Sequence, residues 1–199
     1  TGVPIETRGC LSQFDNGRVT LWSSTQSPHY LRTILARMLP FEERDIRVVA
    51  PDVGGGFGIK SHMYAEDVLL PWLAIKLRRP VRWIEDRFEH FIASNHAREQ
   101  TIDIEGAFSE EGRIMAVRAH VAADVGSGEI WFPGTGPSVV AAGILTGPYR
   151  IDRTLASITC LVTNKTPAGA YRGYGQPEGV FALESLVDKA ARELGLDPD

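Results

Sequence analysis

Between residues 54 and 58 the chain sets four glycines around a phenylalanine, Gly54-Gly55-Gly56-Phe57-Gly58, and continues into Ile59-Lys60. Glycine loses more backbone freedom on folding than any other residue, so such a cluster needs a reason only glycine supplies: positive φ, or close approach of another group to the backbone. The flanks narrow the choice. Ile46-Arg47-Val48-Val49 is a short β-branched run and reads as a strand. Tyr64 to Leu77 holds good helix formers with an apolar face, closed by Arg78-Arg79-Pro80, and reads as a helix kinked at Pro71. A glycine loop between a strand and a helix presents backbone N–H groups near a helix start, an arrangement suited to phosphate or oxyanion groups. Neither common nucleotide pattern fits: the Walker loop needs glycine where Ile59 stands before Lys60-Ser61, and the dinucleotide fingerprint needs it at Ile59 or at Ser61. Cofactor contact and a tight structural turn both stand.

Two further segments have a similar composition. Asn164 to Glu178 joins an alternating stretch, Thr154 to Val162, to a helical one, Val180 to Leu194. Within it small residues flank Arg172, Tyr171 and Tyr174 can wall a pocket, and Pro177-Glu178 opens a helix with negative charge in its first turn. An arginine's ordinary role is a structural salt bridge, and that reading stands beside the ligand reading. Ser24-Thr25-Gln26-Ser27-Pro28 lies at a strand-to-helix turn, where the plain reading is a cap by Ser27 with Pro28 at the first helical position.

The remaining pattern sets the fold class. Asn16-Gly17 between two alternating runs predicts a hairpin across Gln13 to Ser24. His29 to Met38 repeats apolar residues at helical spacing and ends at Pro40. Val81 to Ile84 is a short strand, and Ile102 to Phe108 with Ile114 to Val121 forms a second hairpin around Glu110-Glu111-Gly112. The glycine- and proline-rich stretch Gly126 to Gly147 reads as a long loop or a short buried helix. Without a regular strand–helix alternation the class is α+β. No repeat or long linker appears, so residues 1–199 are read as one domain, cut at both ends.

Composition excludes several functions. A net charge of −4 gives no basic face for nucleic acid. No apolar run reaches the roughly 18 residues of a membrane span. Two cysteines, Cys10 and Cys160, are too few for a disulfide framework or an iron–sulfur cluster and read as buried hydrophobes. His29, His62, His90, His96 and His120 lack metal-ligand spacing. Glu66-Asp67 and Glu85-Asp86 read as solvated or salt-bridged rather than catalytic, because adjacent side chains point to different faces. Small molecules and proteins remain as partners.

Taken in order, Thr25-Gln26-Ser27-Pro28, then Asp52-Val53-Gly54-Gly55-Gly56-Phe57-Gly58-Ile59-Lys60, then Ala170-Tyr171-Arg172-Gly173-Tyr174-Gly175 resemble the molybdopterin-binding region of the molybdenum hydroxylases. This is the family of xanthine dehydrogenase, aldehyde oxidase and the carbon monoxide dehydrogenase large chain, and connecting stretches such as Pro80 to Arg87 extend the likeness over essentially the whole chain. The resemblance implies a truncated α+β molybdopterin-binding domain. It also implies a molybdenum–pyranopterin cofactor, in the cytosine dinucleotide form usual in bacterial relatives, with the metal held by the dithiolene and by no protein side chain. Gln26 would hydrogen-bond an oxo ligand or the pterin; Gly55, Gly56, Phe57 and Gly58 would bring backbone amides to the same group. Ala170, Arg172 and Gly173 would contribute a further wall, with Tyr174 placed to stack on substrate, and Gln26, Phe57, Arg172 and Tyr174 would serve the chemistry.

The implied reaction is hydroxylation with water as oxygen source, in the cytoplasm, with electrons passing to 2Fe-2S clusters and FAD on partner domains or subunits. Purine-hydroxylating relatives carry glutamate after the lysine of the glycine loop, where this chain has Ser61; copper-containing carbon monoxide dehydrogenases carry cysteine after the arginine, where it has Gly173. An aldehyde or an N-heteroaromatic compound remains as substrate. The family's general-base glutamate lies beyond the matched region, so residues 1–199 alone are expected to be inactive. The competing readings are a nucleotide-phosphate-binding domain and a non-catalytic homologue of the same fold.

Overall fold

A computed structural model describes residues 1–127 and 134–197, which divide into two compact units meeting in sequence at Asn95 and His96. In the first unit, β1 (Gly9–Asp15) and β2 (Arg18–Ser23) form the hairpin expected from Asn16-Gly17, both of which sit at positive φ. Helix α1 (Pro28–Met38) then crosses over to β3 (Ile46–Val49), which pairs parallel to β2. After the glycine loop, α2 (Ala65–Leu77) runs unbroken through Pro71, and β4 (Val81–Ile84) returns antiparallel to β1. The sheet order is β3-β2-β1-β4. Val19 and Leu21 from β2, Leu31 and Leu35 from α1, Ile46 and Leu70 make the core, which is why each of these stretches keeps its period.

The second unit repeats the plan. β5 (Gln100–Phe108) and β6 (Ile114–Gly126) form a hairpin, α4 (Gly136–Gly143) crosses over, and β7 (Arg153–Val162) lies parallel to β6 in the order β5-β6-β7. Helix α5 (Gln176–Leu194) follows and packs on α4 and β5. Val117, Ala119, Val121, Ala123, Ala141 and Leu183 are buried here. Hairpin, helix, parallel strand and helix thus recur in both units without any repeat in sequence.

Mixed sheets with packed helices give the α+β class expected. Three details differ from the pattern-based expectation, and a fourth bears out the short helix offered at Gly126 to Gly147. The seven-residue helix α3 (Arg87–Ala93) appears where none was read; Asp86 caps it by accepting from the Glu89 amide at 2.8 Å, and Glu89 reciprocates. Strand β6 extends to Gly126, because its last residues pair with β7. The expected loop or short helix at Gly126 to Gly147 contains α4, and its residues 128–133 fall outside the described part. Ser27 makes no side-chain cap on α1; Thr25 Oγ1 instead accepts from the Ser27 amide at 3.0 Å. Among the described residues no helix is long and apolar enough to cross a membrane.

Candidate functional site

Parallel pairing decides what meets what. Because β2 and β3 run the same way, their carboxyl ends lie side by side, and the segments that follow, Ser24 to Pro28 and Pro51 to Lys60, become neighbours. The Gln26 amide donates to the Lys60 carbonyl at 2.8 Å, and the Thr25 hydroxyl donates to the same oxygen at 3.3 Å. The Gly58 amide donates to Gln26 Oε1 at 3.0 Å. That bond fixes the side-chain amide, since an N–H faces only the oxygen, and it leaves Gln26 Nε2 as a donor with no acceptor among the described residues.

The glycine loop is shaped for contact. A Cβ at Gly56 would sit 2.3 Å from Gln26 Oε1 and 2.5 Å from its Cδ, so only glycine lets Gln26 lie across the loop. Phe57 adopts φ +55°, unusual for a bulky side chain, and the residue is 42% exposed instead of joining the core. The amides of Gly56 and Phe57 pair with no acceptor among the described residues, whereas those of Gly54, Gly55, Gly58 and Ile59 are all used within the chain. Three donors, Gly56 N, Phe57 N and Gln26 Nε2, therefore belong to one exposed turn, and such a set binds an oxygen-rich, electron-dense group.

The loop is held from behind. Lys60 Nζ donates to Glu6 Oε2 at 2.6 Å with its side chain fully buried, and the Gly54 amide donates to the same oxygen at 2.8 Å. Burial would raise the Glu6 carboxyl, but the Lys60 hydrogen bond and charge, with the Gly54 amide, hold it below its ordinary value. Glu66, Asp67 and Glu85, left aside as catalytic candidates, prove structural. Asp67 accepts from Ser23 Oγ at 2.8 Å and the Tyr64 amide at 3.0 Å. Glu85, buried, accepts from Arg8 Nη2 at 2.6 Å and lies 2.9 Å from His90 Nδ1, while Arg8 also reaches Glu66 at 3.3 Å.

In the second unit the same topology brings the carboxyl end of β7 beside that of β6. Tyr171 to Gly175 turns tightly, the Tyr174 amide donating to the Tyr171 carbonyl at 2.7 Å and Gly173, Tyr174 and Gly175 all at positive φ. Gly175 admits no side chain, because a Cβ would fall 1.9 Å from the Pro137 carbonyl oxygen. The Tyr174 hydroxyl crosses Gly136, where a Cβ would come within 1.9 Å of it, and burial raises its phenol above the ordinary value, keeping it neutral. Arg98, absent from the sequence reading, organises the turn. Its guanidinium donates to the Arg172 carbonyl at 2.6 Å and to Glu178 at 3.3 Å and lies 4.8 Å from the Tyr171 ring centre. Nothing in the local sequence marks Arg98 for this, since its partners lie more than 70 residues away. Arg172 itself is exposed and makes no ion pair with any described residue, so the salt-bridge reading finds no support; Ala170, just before the turn, is buried. Gln26 is thus brought to Gly56, Phe57 and Gly58 in one unit, and Arg172, Gly173 and Tyr174 share one turn in the other.

Known proteins resemble this chain over its whole length. The molybdopterin cofactor-binding domain family matches residues 1–199. The chain is 42% identical to the nicotine 6-hydroxylase large subunit of Paenarthrobacter nicotinovorans, over 98% of this chain and 24% of that one. It is 37% identical to the carbon monoxide dehydrogenase large chain of Hydrogenophaga pseudoflava, over 98% and 25% respectively. The crystal structure of quinoline 2-oxidoreductase from Pseudomonas putida 86 superposes with a TM-score of 0.94 at 39% identity, again over 98% of this chain and 25% of that one. The chain therefore spans about a quarter of the length of the relatives it matches. Matched from end to end, the chain belongs to the molybdopterin cofactor-binding domain family.

Proposed function

We propose that residues 1–199 form part of the molybdopterin-binding domain of a cytoplasmic molybdenum-dependent hydroxylase acting on an N-heteroaromatic or aldehyde substrate. The observation that carries this is the donor set at Gly56, Phe57 and Gln26, without an acceptor among the described residues, in a turn where a Cβ at residue 56 would collide with Gln26. Gly55 to Gly58 and Gln26 would hold a molybdenum–pyranopterin group, in its cytosine dinucleotide form, and by the family resemblance Ala170, Arg172 and Gly173 would supply further contacts. When bound, that group supplies two-electron oxidation, with water as the oxygen source. This chain's residues bind and orient: backbone N–H groups and Gln26 Nε2 donate to oxygen atoms, Arg172 offers an uncommitted cation, and Tyr174 and Phe57 offer aromatic surface to a planar substrate.

Two of the relatives act, by name, on nicotine and quinoline, both N-heteroaromatic, which favours that class over aldehydes. Ser61 and Gly173 speak against purines and against copper-assisted oxidation of carbon monoxide. With two cysteines the chain lacks the ligands for a 2Fe-2S cluster, so the clusters and FAD that take the electrons sit on partner domains or subunits.

The test is metal and pterin analysis of the full-length parent, purified with its partners, beside an Arg172→Ala and Gly56→Val double variant. Stoichiometric molybdenum and pterin in the parent, lost from the variant, and turnover of a pyridine or quinoline but not of xanthine are expected. A parent free of molybdenum from a competent host refutes the enzyme reading and leaves a nucleotide-binding or non-catalytic homologue.

A further inference from the structure

We infer that the Glu6–Lys60 ion pair is a latch that fixes the glycine loop in its cofactor-binding form, making both positioning residues for the group held at Gly56, Phe57 and Gln26; this rests on the cofactor reading above. Glu6 Oε2 accepts from the Gly54 amide at 2.8 Å and from Lys60 Nζ at 2.6 Å. Gly54 and Lys60 are the two ends of the glycine segment, so one oxygen atom closes the loop. The closure is doubled by the Glu6 amide, which donates to the Gly54 carbonyl at 3.2 Å. Glu6 packs so tightly there that a Cβ at Gly54 would stand 2.6 Å from its own.

Lys60 also carries the link onward. Its carbonyl accepts from the Gln26 amide at 2.8 Å and from the Thr25 hydroxyl at 3.3 Å. A movement of Lys60 therefore moves Gln26, and with it the one side-chain donor of the set. Stability alone gives a weak account of the pair, because an apolar residue of similar volume at a buried ion-pair position commonly serves a fold as well or better. What the pair adds is direction: an ammonium with its side chain fully buried has one described counter-charge and hence one place to be. Three glycines between the closed ends would otherwise sample many backbone states, and each bound group would have to order them. A loop closed beforehand meets its ligand with the donors already in place.

The test uses the full-length parent with its partners, comparing wild type with Lys60→Met and Glu6→Gln. Methionine keeps the length and bulk of the buried stem, and Glu6, with its side chain 41% exposed, is solvated without its partner. Three quantities are read: the thermal midpoint, pterin per subunit, and amide hydrogen exchange across residues 54–60 after the cofactor has been removed. Lys60→Met is expected to keep the wild-type midpoint while loop exchange quickens at least tenfold and pterin content falls about fivefold. Wild-type exchange and pterin content in Lys60→Met overturns the latch. Should that variant not fold, the two substitutions combined, which leave neither charge without the other, are read in the same way, with the same loss expected and the same retention decisive against the latch. A wild-type parent without pterin overturns the cofactor reading and the latch together, whereas a loaded parent with equally loaded variants overturns the latch alone.

Discussion

At the scale of single residues, the two crowded glycines separate binding from folding. A methyl group at Gly56 meets Gln26 at Oε1, Cδ and Cγ, all in an exposed, flexible side chain that can swing away. Gly56→Ala is therefore expected to leave the unfolding free energy within about 1 kcal/mol of wild type while breaking the Gly58–Gln26 hydrogen bond and lowering pterin retention in the parent about tenfold. Pterin analysis beside a urea titration checks it. At Gly175 the obstacle is the Pro137 carbonyl at 1.9 Å and the backbone stands at φ +94°, so nothing can swing away. Gly175→Ala is expected to cost about 2–3 kcal/mol, visible as a lower urea midpoint; equal midpoints for the two variants would contradict the distinction. The sequence displayed the glycines but not their partners. Gln26 and Gly58 stand 32 residues apart and Glu6 and Lys60 54 apart, and no local periodicity encodes such a pairing.

At the scale of elements, what was legible was whatever had its own period or turn chemistry. Asn16-Gly17 marked the first hairpin, and the helix formers from Tyr64 to Leu77 with the Arg78-Arg79-Pro80 stop placed α2. Helix α3 spans only seven residues, too few for a sustained period, although Phe88, Phe91 and Ile92 stand at helical spacing and the Asp86–Glu89 capping box was a second signal available. Strand β7 alternates in sequence yet is exposed along nearly its whole length, since only one edge of it is paired. The Arg8–Glu85 contact beside the β1–β4 pair contributes a pH dependence. Burial would raise the Glu85 carboxyl, but the Arg8 side chain and amide, with His90, hold it below its ordinary value. The folded state thus binds this proton less readily than the unfolded chain. Its stabilisation is complete above the unfolded value of about 4.3 and is lost as pH falls through the lower folded one. Glu6 has the same sign. Asp67 has the opposite one, burial outweighing its hydrogen bonds and raising its carboxyl, so its contribution fades as pH rises through the folded value. Glu85→Gln leaves Arg8, 6% exposed, short of its main counter-charge, and is expected to cost about 3 kcal/mol at pH 7 and to flatten the acid limb between pH 5 and 3. Urea midpoints across that range measure it, and parallel profiles for variant and wild type would refute the assignment.

At the scale of the whole molecule, the plan of hairpin, crossover helix and parallel strand recurs in two stretches of unrelated sequence. In each unit the chain leaves a parallel pair at its carboxyl end, where the backbone is released from the ladder and is free to turn toward a ligand. Order in the sequence hinted at both turns; the topology that makes them equivalent depends on strand pairings that no stretch of sequence displays. Each unit also closes over its own apolar residues, Leu21 and Leu35 in the first, Val121 and Leu183 in the second, all buried. Leu21→Ala and Val121→Ala each remove buried methyl groups and should cost on the order of 2–4 and 1–3 kcal/mol respectively. Because the cores are separate, the cost is expected to be local. In Leu21→Ala the amides of β1 and β2 should exchange faster while those of β6 keep their protection, and Val121→Ala should show the reverse. Residue-resolved hydrogen exchange reads both at once. Faster exchange throughout the chain in either variant would mean that the units unfold as one, and would count against treating each turn as mounted on a scaffold of its own.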